Sequence, residues 1–482
     1  MEPIQHISII NIVNAWMERN QETLARGFKV NSPRELCDYE RTLFLLLIQL
    51  GALIIECVLR TRFQDHEFQK YASNDLRKTG RYRFQAYVTS PVRTLFGTII
   101  RVTTRYYIPL RRAGKKRRQG RRGENGSGVF PELDALGIGA GSTPALASEV
   151  ARQTTLGPSM EAAQDSLSRR GIYLDIKVIQ RISEWFAATG LVLRESFLLS
   201  GGKCPNPLVP SDEKFDGKRI LIGVDGGRAR TRVNKRGRIP KGRKRHGFKT
   251  DWREPKLLTI RMIDESGKVI RDYPPINDGT FDDADGIFNL LEAHLRAREI
   301  WNASEIICAG DGAQWIWERM AVTLEKLGVD LGRVSFVVDF YHALEHVTKV
   351  ADERRGWSEL KRARWLNSTI SLLRKGKIDV VIERLKALAR GRNARGVIRE
   401  VGYFEQHRDR MRYDELEKMK LPLGNGAMES TIRQVVNLRL KGAGMFWHLH
   451  NAEGFLHLRC YLMAGRWDLI ENAIINHKGV VQ

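Results

Sequence analysis

Cysteine is scarce in this 482-residue chain. Cys37, Cys57, Cys204, Cys308 and Cys460 lie far apart and none belongs to a CxxC pair. That spacing excludes a disulfide framework and a cysteine zinc site, and fits a reducing interior. The N-terminus, MEPIQHISII, lacks the basic stretch and small-residue cleavage site of a signal peptide. Long hydrophobic runs are also missing. The longest, Leu43 to Ile55 (LFLLLIQLGALII), falls short of the roughly 20 residues that cross a bilayer. It is expected to be a buried helix, with no membrane contact. No repeat period is visible, which leaves out solenoid architectures. Acidic residues are in deficit, 56 Asp and Glu against 80 Lys and Arg, for a formal charge of +24. A surplus of that size calls for a polyanionic partner, because each neutralised phosphate releases condensed counterions. Nucleic acid is the first candidate, and an anionic membrane surface the weaker second.

With 42% hydrophobic and 28% charged residues, the chain is globular and long enough for two to four domains. Residues 1–75 read as helices, with apolar positions recurring every three or four residues through Leu43–Leu59. Residues 76–141 hold aromatic and β-branched stretches between Arg81 and Tyr107, expected as two or three strands. The basic run Arg111–Arg122 and a Gly-rich stretch follow, expected as an exposed loop to about Gly141. Residues 142–212 return to helices. Ser159 is a fair N-cap, a turn falls at Gly171, and a second helix starts near Asp175. The pair reads either as a helix-turn-helix or as an ordinary helical hairpin.

Residues 213–345 are α/β. Arg219–Val224, Leu257–Ile263, Lys268–Tyr273, Glu305–Ala309 and Val334–Val338 read as strands, the second and third joined by a hairpin at Ser266–Gly267. Asp283–Trp301 reads as an amphipathic helix with Ile287, Leu290, Leu291, His294 and Leu295 on its apolar face. Ala313–Leu327 is a further helix. The connections suggest a mixed sheet of order 3-2-1-4-5. Residues 346–423 form a helical insertion, and residues 424–482 are helices that complete the core.

Three strands end at an aspartate: Asp225, Asp311 and Asp339. Clustered carboxylates repel one another and persist chiefly around a cation. Mg²⁺ or Mn²⁺, hard ions that take oxygen ligands, are the expected fillers. Neighbouring strands lie about 4.8 Å apart, so in this order Asp311 is one strand from Asp225 and Asp339 is two. Paired metal ions sit about 3.5–4 Å apart, which favours Asp311 as the partner.

The ordered motifs Gly223-Val224-Asp225-Gly226, Gly310-Asp311-Gly312-Ala313, Val338-Asp339-Phe340-Tyr341-His342-Ala343 and Gly424-Asn425-Gly426-Ala427-Met428-Glu429-Ser430 resemble those of bacterial insertion-sequence transposases of the DDE class. The likeness is closer to the groups allied to Mutator-type elements, which carry an Asp/Cys-x-x-His motif and a helical insertion before the glutamate. It spans about residue 80 to the C-terminus. The resemblance implies an RNase H-like core, catalytic and metal-holding roles for Asp225, Asp311 and Glu429, and two Mg²⁺ or Mn²⁺ ions with no small-molecule cofactor. It also implies hydrolysis at transposon ends followed by transesterification into target DNA. Asp339 and His342 match the element taken as structural or DNA-orienting. His342 and His346 with Asp339 could alternatively ligate a metal. Relatives often carry a cysteine cluster after the segment matching Tyr106–Tyr107, and this chain has none there. Partners implied are the terminal repeats, target DNA and further copies of the chain, a dimer or larger, in the cytoplasm at the bacterial nucleoid. A nuclease on the same fold without strand transfer, and a non-catalytic DNA-binding descendant, are the rival readings.

Between Asp225 and the second strand, Gly226–Thr250 holds eleven Lys or Arg residues, expected as a long basic connection. Phosphate contacts are assigned there to Arg228, Arg230, Arg232, Lys235, Arg236, Lys241, Arg243, Lys244 and Arg245. Arg433, Arg439 and Lys441 past Glu429, and Arg117 and Arg118 in the early basic run, complete the set. Trp447 is either core or a platform for a base. Trp315 and Trp317 are expected in the core.

Overall fold

The computed structural model describes residues 9–110, 128–203, 205–237, 239, 242, 246–354, 356–390, 394–442 and 444–477. Arg117, Arg118, Lys241, Arg243, Lys244 and Arg245, together with the basic run 111–122, lie outside them. The chain divides into two compact units, residues 1–189 with 471–482, and residues 190–470.

The first unit opens with helices α1 (Ile9–Ala25), α2 (Pro33–Gln64) and α3 (His66–Thr79). Ser32 caps α2, its side chain accepting from the Glu35 amide, with proline at the first turn. The expected short buried helix is instead 32 residues long, and by length and composition α2 is apolar enough to cross a membrane. One of its faces packs: Gly51 sits against the Phe96 ring, while Leu59 and Phe63 are buried. Phe44, Leu45, Leu47, Leu53 and Val58, spread around the helix, are exposed. Apolar periodicity therefore reported helix correctly but not burial, because the residues are apolar around more of the helix than the unit covers.

Strands β1 (Tyr82–Arg93) and β2 (Ile99–Pro109) pair antiparallel. Within the stretch expected as a loop to Gly141, Val129 exchanges backbone hydrogen bonds with Tyr107, and α4 (Pro131–Ala135) buries Leu133 and an ion pair between Glu132 and Arg105. Next come α5 (Pro144–Leu156), α6 (Met160–Ser168) and α7 (Ile176–Leu199). Ser159 caps α6 as expected, accepting from the Ala162 amide at 3.1 Å. Gly171 turns the chain at φ +79°, a conformation glycine adopts without steric cost. The second helix of that pair is 24 residues long, not short.

The second unit is built on a five-stranded mixed sheet. Its strands are β3 (Arg219–Gly226), β6 (Lys256–Ile263), β7 (Ile276–Thr280), β8 (Glu305–Gly310) and β9 (Val334–Val338), in the order β7-β6-β3-β8-β9. β7-β6-β3 are antiparallel, while β8 and β9 run parallel to β3. The meander with a fourth strand beside the first and a fifth outside it is thus present. Its third strand is Ile276–Thr280, not Lys268–Tyr273. The Ser266–Gly267 turn forms, held by Asp264, whose side chain accepts from the Ser266 and Lys268 amides. The returning segment makes a bridge at Val269, with the Asp264 amide donating to the Lys268 carbonyl and the Ile270 amide to the Met262 carbonyl, then leaves the sheet.

Helices α8 (Ala284–Ala297) and α9 (Gln314–Lys326) cross over. The five residues expected on the apolar face of α8 are all buried. Among the described residues the insertion holds α10 (Phe340–Asp352), α11 (Glu359–Arg374), α12 (Ile378–Lys386), α13 (Ala394–Gln406) and α14 (Tyr413–Lys418). The short α15 (Gly426–Ile432) runs into a π-helical turn, Arg433–Asn437, and α16 (Leu449–Met463) and α17 (Trp467–Ile475) close the chain. The expected basic connection after β3 is partly a hairpin, β4 (Ala229–Asn234) with β5 (Phe248–Arg253).

Candidate active site

The buried run Ile220–Val224 of β3 carries Asp225 to the sheet edge, where it is half-buried. Its Oδ1 accepts from the Gly226 amide at 2.6 Å. Asp311 lies one residue beyond β8. The parallel register pairs Gly223 with Ala309, so Asp225 and Asp311 stand two residues further along neighbouring strands, at the same level. Gly312 follows at φ +99°, and the Asp311 Oδ1 accepts from the Ala313 amide at 2.9 Å.

Glu429 comes from α15, which lies directly on β3 because residue 223 has no side chain. A Cβ there would stand 2.9 Å from the Asn425 Oδ1 and 3.2 Å from the Met428 Cβ. Gly223→Ala is therefore expected to lift α15 from the sheet. Overpacking of this kind costs about 1–3 kcal/mol, and thermal unfolding of the two proteins measures it.

The electrostatics follow from this crowding. Burial first and the charge of Asp311 second push the Asp225 carboxyl up to about 7; the Gly226 amide opposes them, and Glu254 and Glu429 add weaker repulsion. Glu254 escaped the sequence reading. It closes the β5–β6 connection, and its signal is register alone: Gly226 pairs with Lys256, which places Glu254 just beyond the level of Asp225. The carboxylates share one edge of the sheet, yet among the described residues no three His, Cys, Asp or Glu side chains converge closely enough to hold an ion as they stand. The donor set itself, oxygens only and mutually repelling, matches hard divalent cations.

Asp339 follows β9 and is buried. Its Oδ1 accepts from the His342 amide at 2.9 Å, capping α10, and its Oδ2 accepts from the Asn425 amide. Both oxygens are spent on backbone, so Asp339 ties the turn before Glu429 to the end of β9. His342 places Nε2 3.3 Å from Nε2 of His346, whose Nδ1 is 2.5 Å from Glu400 Oε2. These are hydrogen-bonding histidines.

Tyr403 of α13 stacks on His346, with ring centroids 3.7 Å apart, and donates its hydroxyl to the Asp311 carbonyl oxygen at 3.1 Å. Burial and the charge of Asp311 push the phenol pKa up, so it stays a donor. The helical insertion thereby grips the Asp311 turn. Tyr403→Phe is expected to cost about 1 kcal/mol of stability and to speed amide exchange at Gly312 and Ala313. Unchanged exchange there would remove the grip.

The basic residues divide. Arg228, Lys235, Arg236, Arg433 and Lys441 are exposed, and Arg230 and Arg232 are partly so. Arg439 does not belong with them. It is 2% exposed, packs over Trp447 and Phe455, and its Nη1 lies 3.3 Å from the Met445 sulfur. Trp447 is half-buried against Phe455 and donates to the Leu440 carbonyl, so it is a packing residue. Trp317 is buried and Trp315 is packed against the sheet's core. Comparisons with protein-family models, curated proteins and solved structures give no match.

Proposed function

We propose that the chain is a DNA transposase of the DDE type, with an RNase H-like catalytic core in residues 213–345, completed by the C-terminal helices. The observation that carries the reading is the meeting of remote carboxylates at one sheet edge. Asp225 and Asp311 end adjacent parallel strands at one level, and the Glu429 helix sits on Gly223. Asp225, Asp311 and Glu429 would hold Mg²⁺ or Mn²⁺, with Glu254 adding charge from the β5–β6 connection. When bound, such ions activate a water or a DNA 3′-hydroxyl and stabilise the leaving oxygen.

The remaining residues position. Asp339 fixes the turn before Glu429, Tyr403 fixes the turn after β8, and the exposed arginines of the β4–β5 hairpin meet phosphate beside the carboxylates. In this reading the carboxylates of the cluster hold the ion and do not attack phosphorus, so no covalent protein–DNA intermediate is expected. Joining two element ends calls for at least two copies of the chain.

The test is incubation of the protein and Mn²⁺ with DNA carrying the terminal repeats that border the coding sequence. Joined products support transposition, nicks alone support the nuclease alternative, and binding without any cutting supports the non-catalytic one.

A further inference from the structure

The β4–β5 hairpin grows from the carboxylate edge itself. β4 begins three residues after Gly226, and β5 ends just before Glu254. Its register pairs Arg230 with Trp252, Arg232 with Thr250 and Asn234 with Phe248. Cross-strand partners share a face and alternate residues return to it. One face therefore carries Arg230, Arg232, Trp252 and Phe248. The other carries Ala229 and Thr231, which are buried.

On the first face the guanidinium groups lie over rings. Arg228 and Arg230 stand 5.3 and 5.6 Å from the Trp252 centroid, Arg232 stands 5.6 Å from Phe248, and Arg230 also stands 4.9 Å from Phe446. Phe248 and Phe446 are 5.3 Å apart. Trp252 remains 50% exposed and Phe248 39%. An ion pair on this hairpin, Arg253 with Asp251, sits on the opposite face.

An arginine surface alone would suit duplex phosphates. Exposed aromatic rings between the arginines are a different device. They bury apolar area only against a flat partner whose face is free, and the bases of an intact duplex are stacked on one another and closed to them. An unpaired strand presents both backbone charge and open base faces, and proteins that hold such strands combine a basic track with stacking aromatics.

We infer that the hairpin face of Arg228, Arg230, Arg232, Trp252 and Phe248 binds an unpaired DNA strand and leads it to the Asp225–Glu254 edge. Trp252 stacks on the base nearest the carboxylates; its cross-strand partner Arg230 is five residues from Asp225, at most about 17 Å at the rise of an extended chain. This rests on the DNA-acting reading above and adds the form of DNA that the site takes.

The experiment compares the full chain with Trp252→Ala and Trp252→Phe. Each is titrated, without divalent metal, against a short single-stranded oligonucleotide carrying 2-aminopurine and against the same sequence as duplex. Trp252 is half exposed, so its loss spares the core, and coinciding circular dichroism spectra check this. The expected result is quenched 2-aminopurine emission with the wild type. Single-strand affinity should fall about tenfold in Trp252→Ala, the scale of one base–aromatic stack. Trp252→Phe should restore it, and duplex affinity should hold across all three proteins. Equal losses on both forms of DNA, or no loss on the single strand, would overturn the inference while leaving a DNA-acting protein. If the wild type binds neither form, the functional reading fails first.

Discussion

Replacing Asp225, Asp311 or Glu429 singly with alanine is expected to lower metal-dependent cutting of end-containing DNA by about a thousandfold or more, with DNA affinity little changed. The magnitude follows from the several kcal/mol of charge stabilisation that a bound divalent ion supplies to phosphoryl transfer, each 1.36 kcal/mol being tenfold in rate. Affinity is expected to survive because the arginines proposed to meet phosphate lie on other elements, the β4–β5 hairpin and the segment after α15. The three substitutions should also be tolerated structurally. Asp225 is a carboxylate that burial and like charges raise to about 7, so its removal relieves repulsion. Thermal stability should be unchanged or higher in Asp225→Ala. Asp339→Ala should behave differently. It strips the partner from two backbone amides, at His342 and Asn425, and is expected to lower stability together with activity. If Asp339→Ala stayed fully stable with normal affinity yet lost all cutting, the second metal-holding aspartate would have to be reassigned to it.

The largest stability effect is expected at Asp278, away from the candidate site. It lies on β7, 1% exposed, and accepts from His294 Nε2 at 3.0 Å, His457 Nδ1 at 3.3 Å and the Gly279 amide at 2.8 Å, with Arg194 at 3.7 Å. Burial alone would raise its carboxyl, but the two histidines and Arg194 hold it well below the usual carboxylate range. Asp278→Ala leaves Arg194 and two buried histidines without their common acceptor, a change that typically costs about 3–5 kcal/mol. The pH dependence has a definite sign. A carboxylate depressed in the folded state stabilises above its unfolded pKa, near 3.9, and that contribution is lost as pH falls through the folded value. His294 is lowered chiefly by burial, so the unfolded chain takes up its proton first and stability begins to fall below about pH 6.5. Denaturant titrations from pH 8 to pH 3 should show stability declining from about pH 6.5 and steepening below 4. The steep lower limb should be missing in Asp278→Ala.

The same aspartate shows why part of the sheet was hidden in the sequence. β7 reads Ile-Asn-Asp-Gly-Thr and is buried throughout, yet its composition is that of a turn. Partners remote in the chain, Arg194, His294 and His457, make a buried aspartate acceptable there. The Lys268–Tyr273 segment, placed after a Ser-Gly turn, advertised a strand more loudly and forms hardly any pairing. β3, β8 and β9 were legible because strands covered on both faces are apolar runs, and each stops where the carboxylate begins. The β4–β5 hairpin was concealed by its charge, which reads as a solvated connection until cross-strand register sets each ring beside an arginine. Arg439 was misjudged for the converse reason: a cation close in sequence to Glu429 looked like a DNA contact, but its guanidinium packs over Trp447 and Phe455. Asp225 and Asp311 could be paired from strand order, whereas Glu254 and Tyr403 join the site through three-dimensional neighbours that no local pattern announces.

A DDE-type reaction would require the carboxylates at this sheet edge to take up a divalent cation together. Titration of the full chain with Mn²⁺, followed by electron paramagnetic resonance of the free ion, measures this without any DNA. Saturable uptake by the wild type, lost in Asp225→Ala and in Asp311→Ala and weakened in Glu429→Ala, is the predicted result. Uptake that is the same in all four proteins, or absent from the wild type, would contradict it.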